Sequence, residues 1–185
     1  MKTAADILEF WFSDRVKARW FNSTAEFDAE IITQFGDTSE MLATAPFPHS
    51  TWGTDPDSAL ALIIALDQFP RNMFRGAAEA FQWDALSLGV AASMIDDGWD
   101  MEIPAARRAF VYMPFMHAED LAAQNRCVEL SGSRFEDGGS TLRHAKAHRD
   151  VIEQFGRFPH RNATLGREST REEREFLKRG GYDPS

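Results

Sequence analysis

One cysteine in 185 residues excludes an intrachain disulfide. Cys127 stands between Arg126 and Val128 in a helical pattern, where a buried, inert thiol is the expected state. Lysine is scarce as well, with four residues against sixteen arginines. Arginine is favoured where planar, bidentate pairing is needed, so part of this set should clamp structure or ligand. Long apolar runs are missing. The longest aliphatic run, Ala59 to Leu66, falls far short of the ~20 residues that span a bilayer. Asp6 and Glu9 interrupt the apolar stretch that a secretory signal needs. A cytoplasmic protein with no membrane partner is expected. No Gly-rich phosphate loop, G-x-S-x-G elbow, CxxC or H-E-x-x-H is present, so neither a cofactor nor a metal is predicted. The net charge of -9 disfavours nucleic acid, which rewards basic surfaces.

The charge that is present is uneven. Residues 143–179 carry a net +4, whereas residues 1–142 carry -12. The two parts should attract each other, or the basic one should offer a local anion site. The apolar fraction of 43% is ordinary for a soluble globular chain, and the length is enough for one domain over residues 1–185 with a real core.

Helix signals dominate, and no segment alternates at period two over a strand's length. Thr3 with Asp6, Ser23 with Glu26, and Ser169 with Glu172 or Thr170 with Glu173 resemble capping boxes. Gly36 should close the second of these helices. Phe27, Ile31 and Phe35 share one helical face. Residues 45–55 read as a loop, and Asp55-Pro56 as the N-cap and first residue of the next helix. That helix is apolar all round from Ala59 to Leu66, so it should be buried at the centre and stop near Gln68, before Pro70. Further helices are predicted from Asp84 to Asp97, from Pro104 to an interruption at Pro114, from His117 to Leu130, from Thr141 to Phe155, and before Gly180-Gly181. Residues 132–139 read as a polar loop. The fold class is all-α, seven to eight helices in an array or bundle.

The chemistry-bearing residues gather at two similar breaks, Phe69-Pro70-Arg71-Asn72 and Phe158-Pro159-His160-Arg161-Asn162. Arg, His and Asn recognise anions and amides. Asp67 sits in the last turn of a buried helix, so it needs a cation, with Arg71 or Arg75 the candidate. It then either fixes the turn or orients an arginine for a ligand. Asn72 and Asn162 suit turns, or the reading of an amide. His144 and His148 share a helix face at zinc-like spacing, but Lys146 between them and the lack of a glutamate argue against a metal. His117 opens a segment with Glu119 and Asp120, a candidate acid–base pair or a helix start with favourable charges.

Several segments resemble the bacterial domain of unknown function 924 family. These are Leu66-Asp67-Gln68-Phe69-Pro70-Arg71-Asn72 with Phe74-Arg75-Gly76, Pro114-Phe115-Met116-His117 with Glu119-Asp120, His148-Arg149, and Gly156-Arg157-Phe158-Pro159-His160-Arg161-Asn162 continuing to Leu165-Gly166-Arg167. The N-terminal Ile7 to Phe12 fits too. Ala118 departs from the serine expected after the histidine, which weakens a hydroxyl-based role there. The resemblance implies a tetratricopeptide-like superhelical array of helices and no established reaction. Three readings follow. In the first, a binding module holds a small anionic ligand or peptide in a groove lined by Asp67, Gln68, Arg71, Asn72, Arg75, His117, His148, Arg149, Arg157, His160, Arg161 and Asn162. In the second, an enzyme uses His and Asp as acid and base on a small anionic substrate. In the third, the same residues form a purely structural polar lock. The sequence leaves oligomeric state open.

Overall fold

A computed structural model of the protein describes residues 1–44, 52–136 and 139–182. Among the described residues there is no strand, and the fold is all-α. Contacts divide the chain into two compact units, Met1–Arg75 with Glu79–Pro114, and Gly76–Ala78 with Phe115–Ser185.

The first unit begins with α1, Ala4–Trp11. Thr3 and Asp6 form the predicted reciprocal box: the Thr3 N–H donates to the Asp6 carboxylate at 2.7 Å, and the Asp6 N–H to the Thr3 hydroxyl at 3.2 Å. After the short α2, Asp14–Lys17, comes α3, Ala25–Thr44. Its cap is Thr24, whose hydroxyl accepts from the Phe27 N–H, one residue later than the predicted Ser23. The Ser23 hydroxyl instead donates to Asp28. Gly36 does not close this helix. Phe27, Ile31 and Phe35 are buried before it, and Thr38, Ser39 and Leu42 are buried after it. That burial outweighs the cost of about 1 kcal/mol for a helical glycine.

The central helix is α4, Pro56–Ile63, capped by the Asp55 carboxylate, which accepts from the Asp57 and Ser58 N–H groups. Every residue from Ala59 to Leu66 is at most 2% exposed, as an all-round apolar helix requires. The helix does not stop at Gln68. A π-turn over Ile64–Gln68 leads directly into α5, Phe69–Met73. Phe69 packs against Trp11 and Phe35, with ring centroids 5.6 and 4.8 Å away.

Two further helices complete this unit. They are α6, Asp84–Asp96, and α7, Ala105–His117, of which the residues through Pro114 belong here. The buried Tyr112 hydroxyl donates to Asp100 at 2.5 Å and latches the connection between them. Pro114 does not interrupt α7, because Phe110, Val111, Tyr112, Phe115 and Met116 around it are all buried. The break falls at residues 118–120, where the Asp120 carboxylate caps α8, Leu121–Ser133, by accepting from the Ala123 N–H.

In the second unit α8 packs against α9, Gly139–Phe155. Cys127, Leu130 and Ala145 are buried in it. Gly132 lies inside α8 rather than in a loop. The buried Gln124 amide donates to the Met116 and Ala118 carbonyls, which satisfies chain ends left open where α7 finishes. Gly156, at φ 68°, ends α9. A 3₁₀ turn over Pro159–Arg161 follows, and then α10, Arg171–Lys178, whose cap is the Thr170–Glu173 box of the two predicted alternatives. Val151, Ile152 and Phe158 form a core cluster, with Phe155, Phe176 and Tyr182 against it. Of the residues read as a loop over 45–55, those numbered 45–51 lie outside the described residues.

Candidate functional site

The first Phe-Pro segment belongs to the first unit, and its polar groups are engaged within that unit. The π-turn arises where Pro70 cannot join an α-helical ladder: it has no N–H, and its ring would meet the carbonyl four residues back. The Phe69 N–H reaches five residues back, to the Ile64 carbonyl. Two carbonyls of the turn take side-chain donors. Arg71 Nη1 donates to the Asp67 carbonyl at 2.6 Å, and Asn72 Nδ2 to the Gln68 carbonyl at 3.0 Å. Arg71 and Asn72 therefore carry the helix across the proline.

The same arginine holds the buried carboxylate. Asp67 is 0% exposed; Arg71 Nη1 lies 3.3 Å from it, and the guanidinium grips Asp84 through Nη1 at 2.9 Å and Nη2 at 3.0 Å. Burial works against the Arg71 cation, but Asp67 and Asp84 outweigh it and raise its pKa. Gln68 donates to Asp67 at 2.5 Å. Arg75, the other predicted partner of Asp67, pairs instead with Asp28 at 2.8 Å and donates to the Asn72 side-chain carbonyl. Asp28 and Asp84 were not singled out from the sequence. They lie 47 and 13 residues from their arginines, beyond any local spacing rule.

The second Phe-Pro segment, in the second unit, anchors a different network. The Phe158 N–H donates to Glu119 at 2.7 Å, and Arg167 grips the same carboxylate at 2.6 and 2.9 Å. Burial tends to raise the Glu119 pKa, but Arg167, the Phe158 N–H and the charge of Arg161 bring it below its ordinary value. Glu119 is thus committed to this lattice rather than placed as a base beside His117. Arg167 also donates to the Asn162 carbonyl oxygen, while the Asn162 amide donates to Ser169 and Glu173. Arg157 donates twice to Glu173, at 2.7 and 2.9 Å. Those bonds, led by Arg157, hold the Glu173 carboxyl at about 2. The capping residue of α10 is therefore also the hub of the network. Its sequence signal was the capping box alone.

Beside this lattice lies a histidine cluster. His148, on α9, is 3% exposed. Its Nδ1 is 2.8 Å from the His144 carbonyl, and its Nε2 is buried with no protein hydrogen-bond partner. Its ring contacts His117, Phe158 and Tyr182, at centroid distances of 6.4, 5.6 and 5.0 Å. Burial, opposed only by the bond to the His144 carbonyl, pushes its pKa down to about 3, and the positive charge of Arg161 contributes. Arg161, 6% exposed, stacks on the Phe158 ring at 4.7 Å, and the His160 ring lies 5.5 Å from that of Phe158. His144 bonds the Tyr182 hydroxyl at 2.8 Å. Tyr182 was not anticipated; it follows a Gly180-Gly181 turn that the sequence marks only as a helix end. Arg149 pairs with its neighbour Asp150. The structure thus brings His148, His160 and Arg161 to Phe158, with His117 against His148, and it engages Arg71, Arg75, Arg149 and Arg157 in ion pairs.

Among the described residues no group of three or more His, Cys, Asp or Glu side chains is disposed to hold a metal ion. Cys127 is buried, with its thiol pushed up to about 12 by that burial, far from the thiolate a nucleophile needs. No helix of the described residues is long and apolar enough to cross a membrane.

An all-helical chain with such polar lattices at two Phe-Pro breaks has a counterpart among known families. The chain belongs to the family described as bacterial protein of unknown function (DUF924), which matches residues 7–181. It is also similar to a solved structure, that of the protein of unknown function ATU0120 from Agrobacterium tumefaciens. The two share 42% identity, with 96% of this chain and 97% of the other covered and a TM-score of 0.87. No protein of curated function matches the chain.

Proposed function

We propose that the protein is a binding module for a small, negatively charged ligand, and that binding belongs to the second unit, at His148. One observation carries this reading. His148 Nε2 is a buried polar atom to which the protein offers no hydrogen bond. Such atoms are rare in native proteins, because leaving one unsatisfied costs about 1–3 kcal/mol. Arg161 lies against the Phe158 ring that His148 also contacts, which puts a positive charge in the same cluster. The arginines of the first Phe-Pro segment serve a different purpose in this reading: they are a structural lock. The paired helices α8 and α9 agree with a tetratricopeptide-like module, and the lone buried Cys127 agrees with a cytoplasmic setting.

Calorimetric titration of the full chain with phosphate, propionate, lactate and an acidic peptide tests the reading. Binding of at least one anion, weakened by His148→Phe and by His148→Gln but unchanged by Arg75→Ala, is expected. Binding unaltered in both His148 variants would overturn it. The lock reading extended to the whole chain has its own support, since Arg71, Arg75 and Arg157 are all ion-paired. It predicts no binding by any of these probes.

A further inference from the structure

We infer that Tyr182 is a lid on the His148 site, and that its ring swings off α9 to admit the ligand. This rests on the binding role proposed above and adds to it the way in, since the closed structure keeps His148 at 3% exposure. Three rings contact the imidazole. Phe158 is itself 1% exposed, and His117, with its ring 6.4 Å away, is the last residue of α7. Tyr182 is the nearest of the three, with 5.0 Å between centroids, and it is half-buried rather than buried. It also stands outside any helix. Displacing it uncovers His148 without breaking a helical turn.

The backbone is fastened as far as the residue before the lid. The Gly180 and Gly181 N–H groups donate back to the Leu177 and Phe176 carbonyls at 3.1 and 3.0 Å. Gly180 takes φ 70°, and a Cβ at Gly181 would come within 2.5 Å of the Phe176 ring, so this glycine pair lays the chain flat across Phe176. The Tyr182 ring then rests against the Val151, Ile152 and Phe158 cluster. Among the described residues its hydroxyl has one partner, His144 Nδ1 at 2.8 Å, at an exposed position on α9. A side chain held at the surface by one hydrogen bond and by packing of its ring opens locally, at far less cost than global unfolding. Opening exposes a nucleophile. The His144 carbonyl only accepts, so its 2.8 Å contact with His148 puts the ring proton on Nδ1 and leaves Nε2 a lone pair. An open form populated at about 0.1–10% is enough to admit a small ligand.

Carbethoxylation of the full chain by diethyl pyrocarbonate, read at each histidine by peptide mass spectrometry, tests the lid without any ligand. In the wild type His148 should react slowly, at a rate unchanged by urea below the unfolding transition, because moving one side chain exposes little surface. Tyr182→Ala should speed that reaction at least about tenfold, on the scale of the open population. Tyr182→Phe should speed it about two- to tenfold, the value of the one hydrogen bond. His117→Ala should have a smaller effect than Tyr182→Ala. The Cys127 thiol, buried in the same unit, should stay as unreactive to maleimide in Tyr182→Ala as in the wild type, which separates lid opening from unfolding. If Cys127 does become reactive there, Tyr182→Phe and the urea dependence of the wild type decide. An equal His148 rate in the Tyr182 variants and the wild type, a larger effect of His117→Ala, or a wild-type rate that climbs with urea would each overturn the lid. Acceleration as expected, with no anion bound by either protein in calorimetry, would overturn the binding role and leave the lid standing.

Discussion

The two Phe-Pro segments look alike as strings and do different things. In the first, Pro70 sits inside a continuing helix, and Arg71 and Asn72 supply the donors that the helix loses across a π-turn. In the second, Pro159 opens a 3₁₀ turn after α9 has ended, and the polar residues reach outward to Glu119, Ser169 and Glu173. The first segment closes on itself. Arg71 and Asp67 meet Asp84, and Gln68 caps the remaining carboxylate oxygen. The second has the same dense pairing at Glu119 and Glu173, yet it lies against a buried histidine with an open acceptor. Resemblance of sequence therefore does not carry over to resemblance of role: a proline, a cation and an asparagine serve whichever backbone groups their neighbours leave unsatisfied.

This contrast breaks most readily at Arg71. Arg71→Ala takes the Arg71 guanidinium away from Asp67, which is fully buried, and should cost roughly 3–5 kcal/mol, or about 6–20 °C in Tm for a chain of this size. Thermal unfolding measures it, and a Tm within a degree of wild type would contradict the lock. In the second unit, a double-mutant cycle on Glu119→Ala and Arg167→Ala should show coupling of about 0.5–3 kcal/mol by denaturant unfolding. Coupling near zero would mean that the bidentate contact contributes nothing to stability.

Acid should reach the second unit through two groups. His148 is neutral when folded, with its pKa held from 6.5 down to about 3, so the unfolded chain takes up a proton first. The stability this neutral ring contributes is full above pH 6.5 and is lost progressively as pH falls towards 3. The charges that act on this ring are His117, His144 and Arg161. Glu173, held from 4.5 down to about 2, has the same sign and acts over that lower window. Denaturant midpoints taken from pH 7 to 3 should therefore decline, and His148→Gln should flatten the decline between pH 6.5 and 4.5 while sparing the lower part. An unchanged slope in that variant would remove His148 as its cause. The smallest effect belongs to Arg75. It is half exposed and pairs with Asp28 at the surface, so Arg75→Ala should cost no more than about 1 kcal/mol.

Much of the local structure was legible in the chain. The caps at Thr3, Asp55 and Thr170, the buried run Ala59–Leu66 and the cation needed by Asp67 all follow from residues a few positions apart. The misread helix breaks share one kind of cause. Gly36, Pro70 and Pro114 are helix breakers by intrinsic preference, and each lies within a helix here because tertiary context outweighs that preference: burial of the flanking side chains at Gly36 and Pro114, and a π-turn with side-chain donors from Arg71 and Asn72 at Pro70. Capping residues and turn chemistry act within one or two helical turns, so the sequence by itself determined where helices begin and which polar residues need partners. Which partner each one meets was decided only by tertiary structure. Asp28, Asp84, Glu119, Glu173 and Tyr182 arrive from distant positions. The same packing that pairs the arginines leaves His148 Nε2 without a protein partner, because its tautomer is set by a backbone carbonyl and its surroundings by aromatic rings brought together in the folded second unit.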